Sequence, residues 1–340
     1  MLARMTVVAD LATPALALDR VAFDHNLATM AAARPGPALR PHVKAHKCTA
    51  IARAQQGVGH ERFCAATPRE VLGLAAAGVG ADLLLANESV DARRLRALGD
   101  LGDLVTVAVD SETTIAAAAE AGIQRVLIDV NVGLPRCGCA PEAAGSLADL
   151  ARARGLHVRG VMGYEGHVVG IVDATDRAQQ CERSMARLLV AHEQVGGDVV
   201  SAGGTGTYAL NTWANEIQAG SYALMDTAYG ELGLPFRPAL RVVATIVSIN
   251  SNFVVADAGL KAFGMDHGNP TLEGAEVLFC SDEHVTFRSE SPAKVGDRVL
   301  LRPAHIDPTM AYHDRVHVAS GPGLEAEIVD EWVVDLRGWD

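Results

Sequence analysis

The sequence predicts an α/β protein built from a (β/α)8 TIM-type barrel and a C-terminal β-rich domain. Short apolar runs alternate with alanine-rich amphipathic stretches from about residue 15 to about residue 225, in units of about 20–25 residues. About eight such runs occur, which is the number of parallel strands in a closed barrel of this kind. After about residue 235, strands follow one another across turns and helical periodicity is nearly absent.

The expected barrel elements follow one another in chain order. The first strand covers 15–18, and a helix over 20–33 follows it with Asp19 as the candidate cap. Further strands are expected at 39–43, 62–65, 82–86, 104–109, 125–130, 158–162 and 198–201. Thr67 and Pro68 mark a helix start, because threonine caps helices and proline suits the first helical position. An open doubly wound sheet is the alternative, but no G-x-G-x-x-G motif follows the first strand.

The second domain is predicted because the alternation of strands and helices gives way to consecutive strands, and not because a linker is visible. Its expected strands are 241–249, 253–257, 295–301 and 326–330. We therefore place the barrel at 13–232 and the β-strand domain at 1–12 and 233–340.

Composition excludes several classes of function. Hydrophobic residues at 49% and charged residues at 21% are typical of a globular protein with a sizeable core. The net charge of −12 argues against a nucleic-acid partner, and no apolar run reaches the ~18 residues of a membrane helix. The six scattered cysteines and the lack of a recognisable signal peptide predict a reduced, cytoplasmic protein. A zinc site at Cys137 and Cys139 lacks a second nearby cysteine pair.

A cationic stretch, Arg40-Pro-His-Val-Lys-Ala-His-Lys47, follows an apolar pair at 38–39. The upstream prolines, Pro35 and Pro37, exclude a helix there, so a short strand running into a loop is expected. A lysine among other cations loses its proton more easily and can act as a nucleophilic amine. These residues alone leave open a solvated basic loop, and they do not choose between Lys44 and Lys47.

A glycine-rich run follows the strand predicted at 198–201. It reads Ala202-Gly-Gly-Thr-Gly-Thr-Tyr208, and its backbone amides together with the hydroxyls of Thr205 and Thr207 are typical of a phosphate-binding loop. The segment Gly220-Ser221-Tyr222 could supply the other side of such a site. An ordinary glycine turn is the alternative. A lysine and a phosphate site together suggest pyridoxal phosphate (PLP), which is held as a lysine Schiff base.

At this point a family resemblance is clear, and it extends over almost the whole chain in one order. The chain resembles the D-threonine aldolase and D-serine dehydratase-like family of alanine racemase-like, fold-type III PLP enzymes. The matching segments are 40–47, Asp129-Val-Asn-Val-Gly-Leu-Pro-Arg-Cys-Gly138, Gly163-Tyr-Glu-Gly-His167, 203–208, 220–222, Asp257-Ala-Gly-Leu-Lys-Ala262, Ser281-Asp-Glu-His284 and Pro303-Ala-His-Ile-Asp-Pro-Thr309.

The resemblance implies a role for each matching residue. Lys44 would form the Schiff base, and Arg136 would lie near the phenolic oxygen of the cofactor. Tyr164 and His167 would lie near the pyridine ring. The phosphate and its surroundings would be held by Thr205, Gly206, Gly220, Ser221 and Tyr222.

A second site is expected at His305 and Asp307. On an extended backbone, side chains two residues apart point the same way, so this imidazole and carboxylate could hold a divalent cation. The spacing alone is a weak signal. The resemblance implies a metal beside the β-hydroxyl of the substrate, with His305 also catalytic, and an oxygen-containing ligand set suits Mn²⁺ or Mg²⁺, with Zn²⁺ as the alternative.

The resemblance implies a D-threonine aldolase that cleaves D-3-hydroxy-α-amino acids to glycine and an aldehyde. Alternatives are a D-serine or 3-hydroxyaspartate dehydratase, a 3-hydroxy-D-aspartate aldolase, an amino-acid racemase and a non-catalytic PLP-binding regulatory protein. Asp307 matches the aldolase-like form of the metal pair, which favours the aldolase. The family also implies a homodimer and a small-molecule substrate, with neither nucleic acid nor membrane as a partner.

Overall fold

The structure, a computed structural model, describes residues 6–339. Its chain divides into two units. The first unit holds the described residues up to Thr29, together with Ala45–Ala50 and Ser221–Asp335. The second holds Met30–Lys44, Ile51–Gly220 and the described residues from Leu336 onward. The expected place of residues 1–5 in the β-strand domain lies outside the described residues.

The strands and helices are numbered here in chain order. The strands are β1 (Ala15–Asp19), β2 (Arg62–Ala65), β3 (Asp82–Leu85), β4 (Val105–Val109), β5 (Arg125–Asp129), β6 (His157–Gly163), β7 (Val199–Ala202), β8 (Glu216–Ile217), β9 (Leu240–Ile249), β10 (Val254–Ala256), β11 (Thr271–Leu272), β12 (Ala275–Cys280), β13 (Val285–Ser289), β14 (Arg298–Arg302), β15 (Arg315–Ala319) and β16 (Ile328–Val333). The α-helices are α1 (Arg20–Ala33), α2 (Thr49–Gly57), α3 (Pro68–Ala76), α4 (Ala92–Gly99), α5 (Glu112–Glu120), α6 (Ala144–Ala153), α7 (Ala174–Val195), α8 (Thr227–Gly230) and α9 (Ile306–Tyr312).

The second unit contains the predicted barrel of parallel strands. Seven strands pair in the order β2-β3-β4-β5-β6-β7-β8. The extended segment 39–42 lies between the last strand and the first. There the Arg40 amide donates to the Ile217 carbonyl oxygen at 2.8 Å, and the Cys64 amide donates to the Pro41 carbonyl oxygen at 2.9 Å. The segment therefore takes the place of the eighth strand and closes the ring, which confirms the predicted TIM-type barrel.

One side chain from nearly every strand fills the barrel interior. These side chains are apolar, and they form one buried cluster: Cys64, Leu84, Ala108, Leu127, Met162 and Val199. A packed interior leaves the loops at the carboxyl ends of the strands as the place for chemistry.

The strand expected to begin the barrel is present as β1, but it belongs to the other sheet. It pairs antiparallel with β9 and parallel with β15. Leu16 and Leu18 are fully buried, and Ala15 and Ala17 are nearly so, at 7% and 5% exposure. A strand that is apolar on both faces is typical of any central position, so its sequence does not specify its sheet. The expected domain boundaries, 13–232 against 1–12 with 233–340, stay a prediction.

Without β1, the barrel reaches eight strands through one strand that the sequence did not predict. It is β8, which has two residues and follows the glycine-rich run. Two residues are too few for a recognisable apolar pattern, and one of the two is a glutamate.

The first unit contains the predicted β-rich domain. Its nine strands pair in the order β10-β13-β12-β11-β14-β9-β1-β15-β16, and β9 also pairs with β10. The long strand β9 thus closes an antiparallel ring with β10, β11, β12, β13 and β14. The remaining strands, β1, β15 and β16, extend the sheet beyond β9. Strands β11, β12, β13 and β15 were not predicted from the sequence.

The helix start predicted at Thr67 and Pro68 is confirmed. The Thr67 hydroxyl accepts from the Glu70 amide at 3.2 Å, and the Glu70 carboxylate accepts from the Thr67 amide at 3.3 Å. Proline occupies the first position of α3, where its missing amide hydrogen costs nothing. Among the described residues, no helix combines the length and apolar character that a membrane crossing would need.

A buried ion network lies at the amino ends of the barrel strands. Arg40 is 1% exposed and donates to Glu216 at 2.7 Å and to Asp82 at 3.0 Å. Arg159 donates to the same Asp82 carboxylate at 2.8 Å. Burial alone would raise the pKa of Asp82, but the hydrogen bonds and positive charges of Arg159 and Arg40 hold it well below its usual range.

Replacing Asp82 with Asn should lower the free energy of unfolding by about 3 kcal/mol, because Arg159 loses its carboxylate partner and the buried Arg40 loses one of its two. The folded-state pKa of Asp82 lies below its unfolded value, so its contribution is present above pH about 4 and is lost as the pH falls further. Urea unfolding of the wild type and the variant from pH about 7 to about 3 should therefore show a difference in the free energy of unfolding that becomes smaller at low pH.

The matched control is Asp103→Asn. This carboxylate is 69% exposed and pairs with Arg125 at the surface, so its loss should cost at most about 1 kcal/mol. Equal costs for the two substitutions would contradict the importance of the buried network.

Candidate functional site

Lys44 directly follows the segment that closes the barrel. It lies in a single 3-10 turn, Val43–Ala45, rather than in the strand end that the sequence predicted. Val43 and Ala45 are buried, whereas Lys44 is half-buried. The Lys44 amide donates to Nδ1 of His42 at 3.4 Å, so the imidazole of His42 supports the backbone of the lysine. Barrel closure therefore holds Lys44 at the carboxyl end of segment 39–42, the eighth strand position.

Arg136 is carried by a loop that Asn131 organises. The Asn131 amide group donates to the Leu134 carbonyl oxygen at 2.8 Å, and its side-chain oxygen accepts from the Gly133 amide at 3.0 Å. The exposed Arg136 guanidinium lies 5.3 Å from the centre of the Tyr164 ring. Stacking of this kind limits the positions that the guanidinium can reach. The structure thus brings together two of the predicted cofactor-binding residues.

His167 and Tyr164 stand on the turn that follows β6. An added Cβ at Gly133 would lie 2.9 Å from the His167 imidazole, and Gly133 has a φ of +133°. Tyr164 is half-buried, and an added Cβ at Gly204 would lie 3.4 Å from its ring. Both aromatic side chains therefore lie against glycine backbone at the carboxyl end of the barrel.

Asp129 ends β5 beside a second carboxyl group that the sequence did not single out. Asp129 is 6% exposed. Burial raises the pKa of Asp129 well above its usual range, and the negative charge of Glu88 and a hydrogen bond with Glu88 raise it further. The positive charge of Arg136 opposes the rise. The buried Asp129 carboxyl group therefore favours its protonated form more than an exposed aspartate does.

The glycine-rich run forms a buried loop, Gly203 to Thr207, after β7. Thr207 points into the protein: its hydroxyl donates to Glu165 at 2.8 Å and accepts from the Gly204 amide at 3.1 Å. The only hydrogen of the Thr207 hydroxyl is donated to Glu165, so this hydroxyl has no donor for a phosphate, contrary to the expectation from the sequence. Thr205 is 1% exposed and stays the candidate. An added Cβ at Gly206 would lie 1.8 Å from the Val169 carbonyl oxygen, so only glycine fits there.

A second candidate segment for the phosphate begins at Gly220. Ser221, at 9% exposure, starts the one-turn helix Ser221–Ala223. Tyr222 is fully buried, and its ring lies 5.6 Å from that of Phe236, centre to centre. Tyr222 thus packs in the first unit. The Ser221 hydroxyl is a donor of the kind that binds phosphate groups, and so are the Thr205 hydroxyl and the glycine amides of the second unit.

His305 and Asp307 lie at the start of a helix, not in the extended loop that the sequence predicted. His305 is the N-cap of α9, and Asp307 lies in its first turn. Pro308 follows without breaking the helix, because proline is tolerated in the first turn. His305 Nε2 lies 3.8 Å from Asp307 Oδ1, and the side chains are 20% and 14% exposed. The helix start therefore brings the predicted pair together.

Two further groups, Asp266 and His267, join His305 and were not predicted. Asp266 Oδ2 lies 2.7 Å from His305 Nδ1, and the His267 ring stacks on the His305 ring with centres 4.0 Å apart. One ligand atom from each of the three residues lies within 4.8 Å of the others. The sequence signal for this grouping was the Gly-Met-Asp-His-Gly run at 264–268. It was not recognised because no regular spacing connects it with His305 in the sequence.

The donor set around His305 fits a divalent cation. Asp266 binds one ring nitrogen of His305, which leaves Nε2 toward Asp307. A carboxylate on the outer nitrogen of a metal-binding histidine is a common arrangement, since it fixes both the tautomer and the ring orientation. An imidazole nitrogen with carboxylate oxygens suits Mn²⁺, Mg²⁺ or Zn²⁺.

Two family descriptions match this chain. Residues 18–228 match "Alanine racemase, N-terminal domain", and residues 239–319 match "Putative serine dehydratase domain". The first match spans the barrel strands β2 to β8, and the second includes β9 to β15 and the His305 region.

Whole-length relatives agree with these matches. A D-threonine aldolase from Arthrobacter sp is 34% identical over 96% of this chain and 93% of its own length. A 3-hydroxy-D-aspartate aldolase from Paracoccus denitrificans (strain Pd 1222) is 31% identical over 97% of this chain and 93% of its own. The crystal structure of D-threonine aldolase from Filomicrobium marinum is similar with a TM-score of 0.91, at 32% identity and 99% coverage of both chains. The chain therefore belongs to the D-threonine aldolase and D-serine dehydratase-like family of alanine racemase-like, fold-type III PLP lyases.

Proposed function

We propose that this protein is a metal-activated, PLP-dependent D-threonine aldolase, which cleaves D-3-hydroxy-α-amino acids to glycine and an aldehyde. The observation that carries the proposal is the carboxylate-oriented pair at the start of α9. His305 Nε2 faces Asp307 while Asp266 holds its other ring nitrogen at 2.7 Å. The pair offers an oxygen ligand rather than a thiolate, and the family resemblance connects that form with aldolases.

The residues that the family resemblance implies are proposed to hold the cofactor. The Lys44 amine would bind the cofactor carbonyl, and Arg136 would place positive charge near its phenolic oxygen. Tyr164 and His167 would lie by the ring, and the phosphate would be bound by Thr205, Gly206, Gly220 and Ser221, with Tyr222 next to Ser221 in the chain. Bound PLP supplies an electron sink for the electron pair released when the Cα–Cβ bond breaks.

The residues of the first unit are proposed to assist removal of the β-hydroxyl proton. His305 and Asp307 would hold Mn²⁺ or Mg²⁺, with Zn²⁺ as the alternative. A divalent cation supplies positive charge that favours loss of a proton from an alcohol. The role of Asp266 is to keep the His305 ring in the orientation that presents Nε2.

Acidic groups around His305 favour a substrate with a neutral side chain. Asp266 contacts His305, and Asp307 lies 3.8 Å from it. Asp226 accepts from the Ile306 amide at 3.2 Å, and burial raises its pKa. The raised pKa favours the neutral form of Asp226, so a second substrate carboxylate would be repelled by Asp266 and Asp307. On that ground we propose D-threonine-like substrates over 3-hydroxy-D-aspartate. From the family resemblance we also propose a cytoplasmic homodimer.

The Lys44→Ala variant should lose the visible absorbance band of the lysine-linked cofactor, because no amine remains to form the covalent bond. The Lys47→Asn variant should keep the band. Asparagine is chosen because Lys47 has a φ of +49°, which asparagine tolerates. Loss of the band in Lys47→Asn and its retention in Lys44→Ala would contradict the choice of lysine.

The Asp266→Asn variant should bind Mn²⁺ about tenfold more weakly, because loss of the carboxylate frees the His305 ring to rotate. Calorimetric titration of metal-stripped protein with Mn²⁺ alone measures this effect. Asp282→Asn, at a carboxylate 75% exposed beside Lys261, is the control and should leave the affinity unchanged. Full turnover in the presence of a chelator would reject a metal role altogether.

Product analysis with D-threonine, D-serine and 3-hydroxy-D-aspartate is the decisive test of the proposed reaction. Glycine and acetaldehyde should form from D-threonine, with a kcat/KM at least about tenfold above that for 3-hydroxy-D-aspartate. Ammonia and a keto acid as the main products would identify a dehydratase instead. Faster cleavage of 3-hydroxy-D-aspartate would keep the aldolase and overturn the substrate preference.

A further inference from the structure

Glu165 is a fully buried carboxylate directly behind the glycine-rich loop. Its Oε2 accepts from the Gly203 amide at 3.1 Å. Its Oε1 accepts from the Thr207 hydroxyl at 2.8 Å and from the Asn211 side-chain amide at 3.3 Å. The Cys181 thiol approaches the same oxygen at 3.9 Å. These four partners are all neutral donors, and a buried carboxylate is costly unless such donors satisfy it.

The contacts of Glu165 determine the course of the loop backbone. The Gly203 amide is bound directly, and the Gly204 amide is bound through the Thr207 hydroxyl, which accepts from it at 3.1 Å. Two successive amides are thereby turned toward Glu165. Gly206 is packed so closely on the Val169 carbonyl oxygen that an added Cβ would lie 1.8 Å from it. The loop backbone is therefore fixed by Glu165 at Gly203 and Gly204 and by close packing at Gly206.

We propose that Glu165 is a positioning residue for the phosphate of the cofactor. It does not touch the phosphate itself, because its oxygens are occupied by the loop and by Asn211. The inference rests on the proposed function and deepens it by assigning the residue that shapes the phosphate-binding loop. The carboxylate is required because every partner donates, so an amide at this position would place a donor against a donor.

The test compares PLP with pyridoxal, which has the same aldehyde and ring but lacks the phosphate. Cofactor-free wild-type protein and the Glu165→Gln variant are titrated with each compound, and binding is followed by absorbance. The variant should bind PLP about tenfold more weakly or worse, and pyridoxal within about twofold of wild type. A residue with a purely structural role would change both affinities by the same factor.

The matched control is Glu216→Gln, which changes another buried carboxylate of the same barrel. Glu216 is 1% exposed and binds Arg40 and Ser201 at the amino ends of the strands. Its loss should lower the free energy of unfolding, yet the ratio of PLP to pyridoxal affinity should stay that of wild type. The comparison separates a change in cofactor affinity caused by general destabilisation from one caused by a change in the shape of the loop.

Thr207→Val supplies a second variant in case Glu165→Gln does not fold. It keeps the side-chain shape but removes the hydroxyl that links the Gly204 amide to Glu165. It should show the same phosphate-selective loss. Equal loss for PLP and pyridoxal in both variants, or no loss in either, overturns the role of Glu165. Wild-type protein that binds no PLP would instead overturn the proposed function, and this inference with it.

Discussion

Backbone hydrogen bonds from residues 39–42 to both edges of the parallel sheet close the barrel, and much of the second unit depends on them. Arg40 donates to Ile217 on one side, and Pro41 accepts from Cys64 on the other. Closure places the Arg40 guanidinium among carboxylates at the amino ends of the strands. Lys44, four residues later, stands at the carboxyl end. One short segment therefore serves stability at one end of the barrel and chemistry at the other.

Three buried carboxyl groups of this barrel show how surroundings determine what a carboxyl group does. Asp82 lies between guanidinium groups that keep its pKa low. Burial and the neighbouring Glu88 raise the pKa of Asp129. Glu165 is satisfied by neutral donors and shapes a loop. The residue types are almost the same, but one supports a charge network, one favours its protonated form and one acts through hydrogen-bond geometry.

In the first unit, a helix start rather than an extended loop organises the imidazole and carboxylate. The Gly264 amide donates to the Thr309 hydroxyl at 2.9 Å, and that hydroxyl donates to the His305 carbonyl oxygen at 2.7 Å. An added Cβ at Gly264 would lie 2.1 Å from the Pro308 ring. These contacts bring the Gly264 segment against the start of α9, and Asp266 reaches His305 as a result.

The alternation of strands and helices, the β-rich second half, the helix start at Thr67 and the family were all predictable from the sequence. These features depend on local periodicity, capping and ordered motifs. Tertiary structure decided which sheet takes β1, since a strand buried on both faces fits any central position. It also decided that Thr207 faces Glu165 and that Asp266 meets His305. Such pairings join residues 42 and 39 positions apart, and no local pattern specifies contacts across that separation.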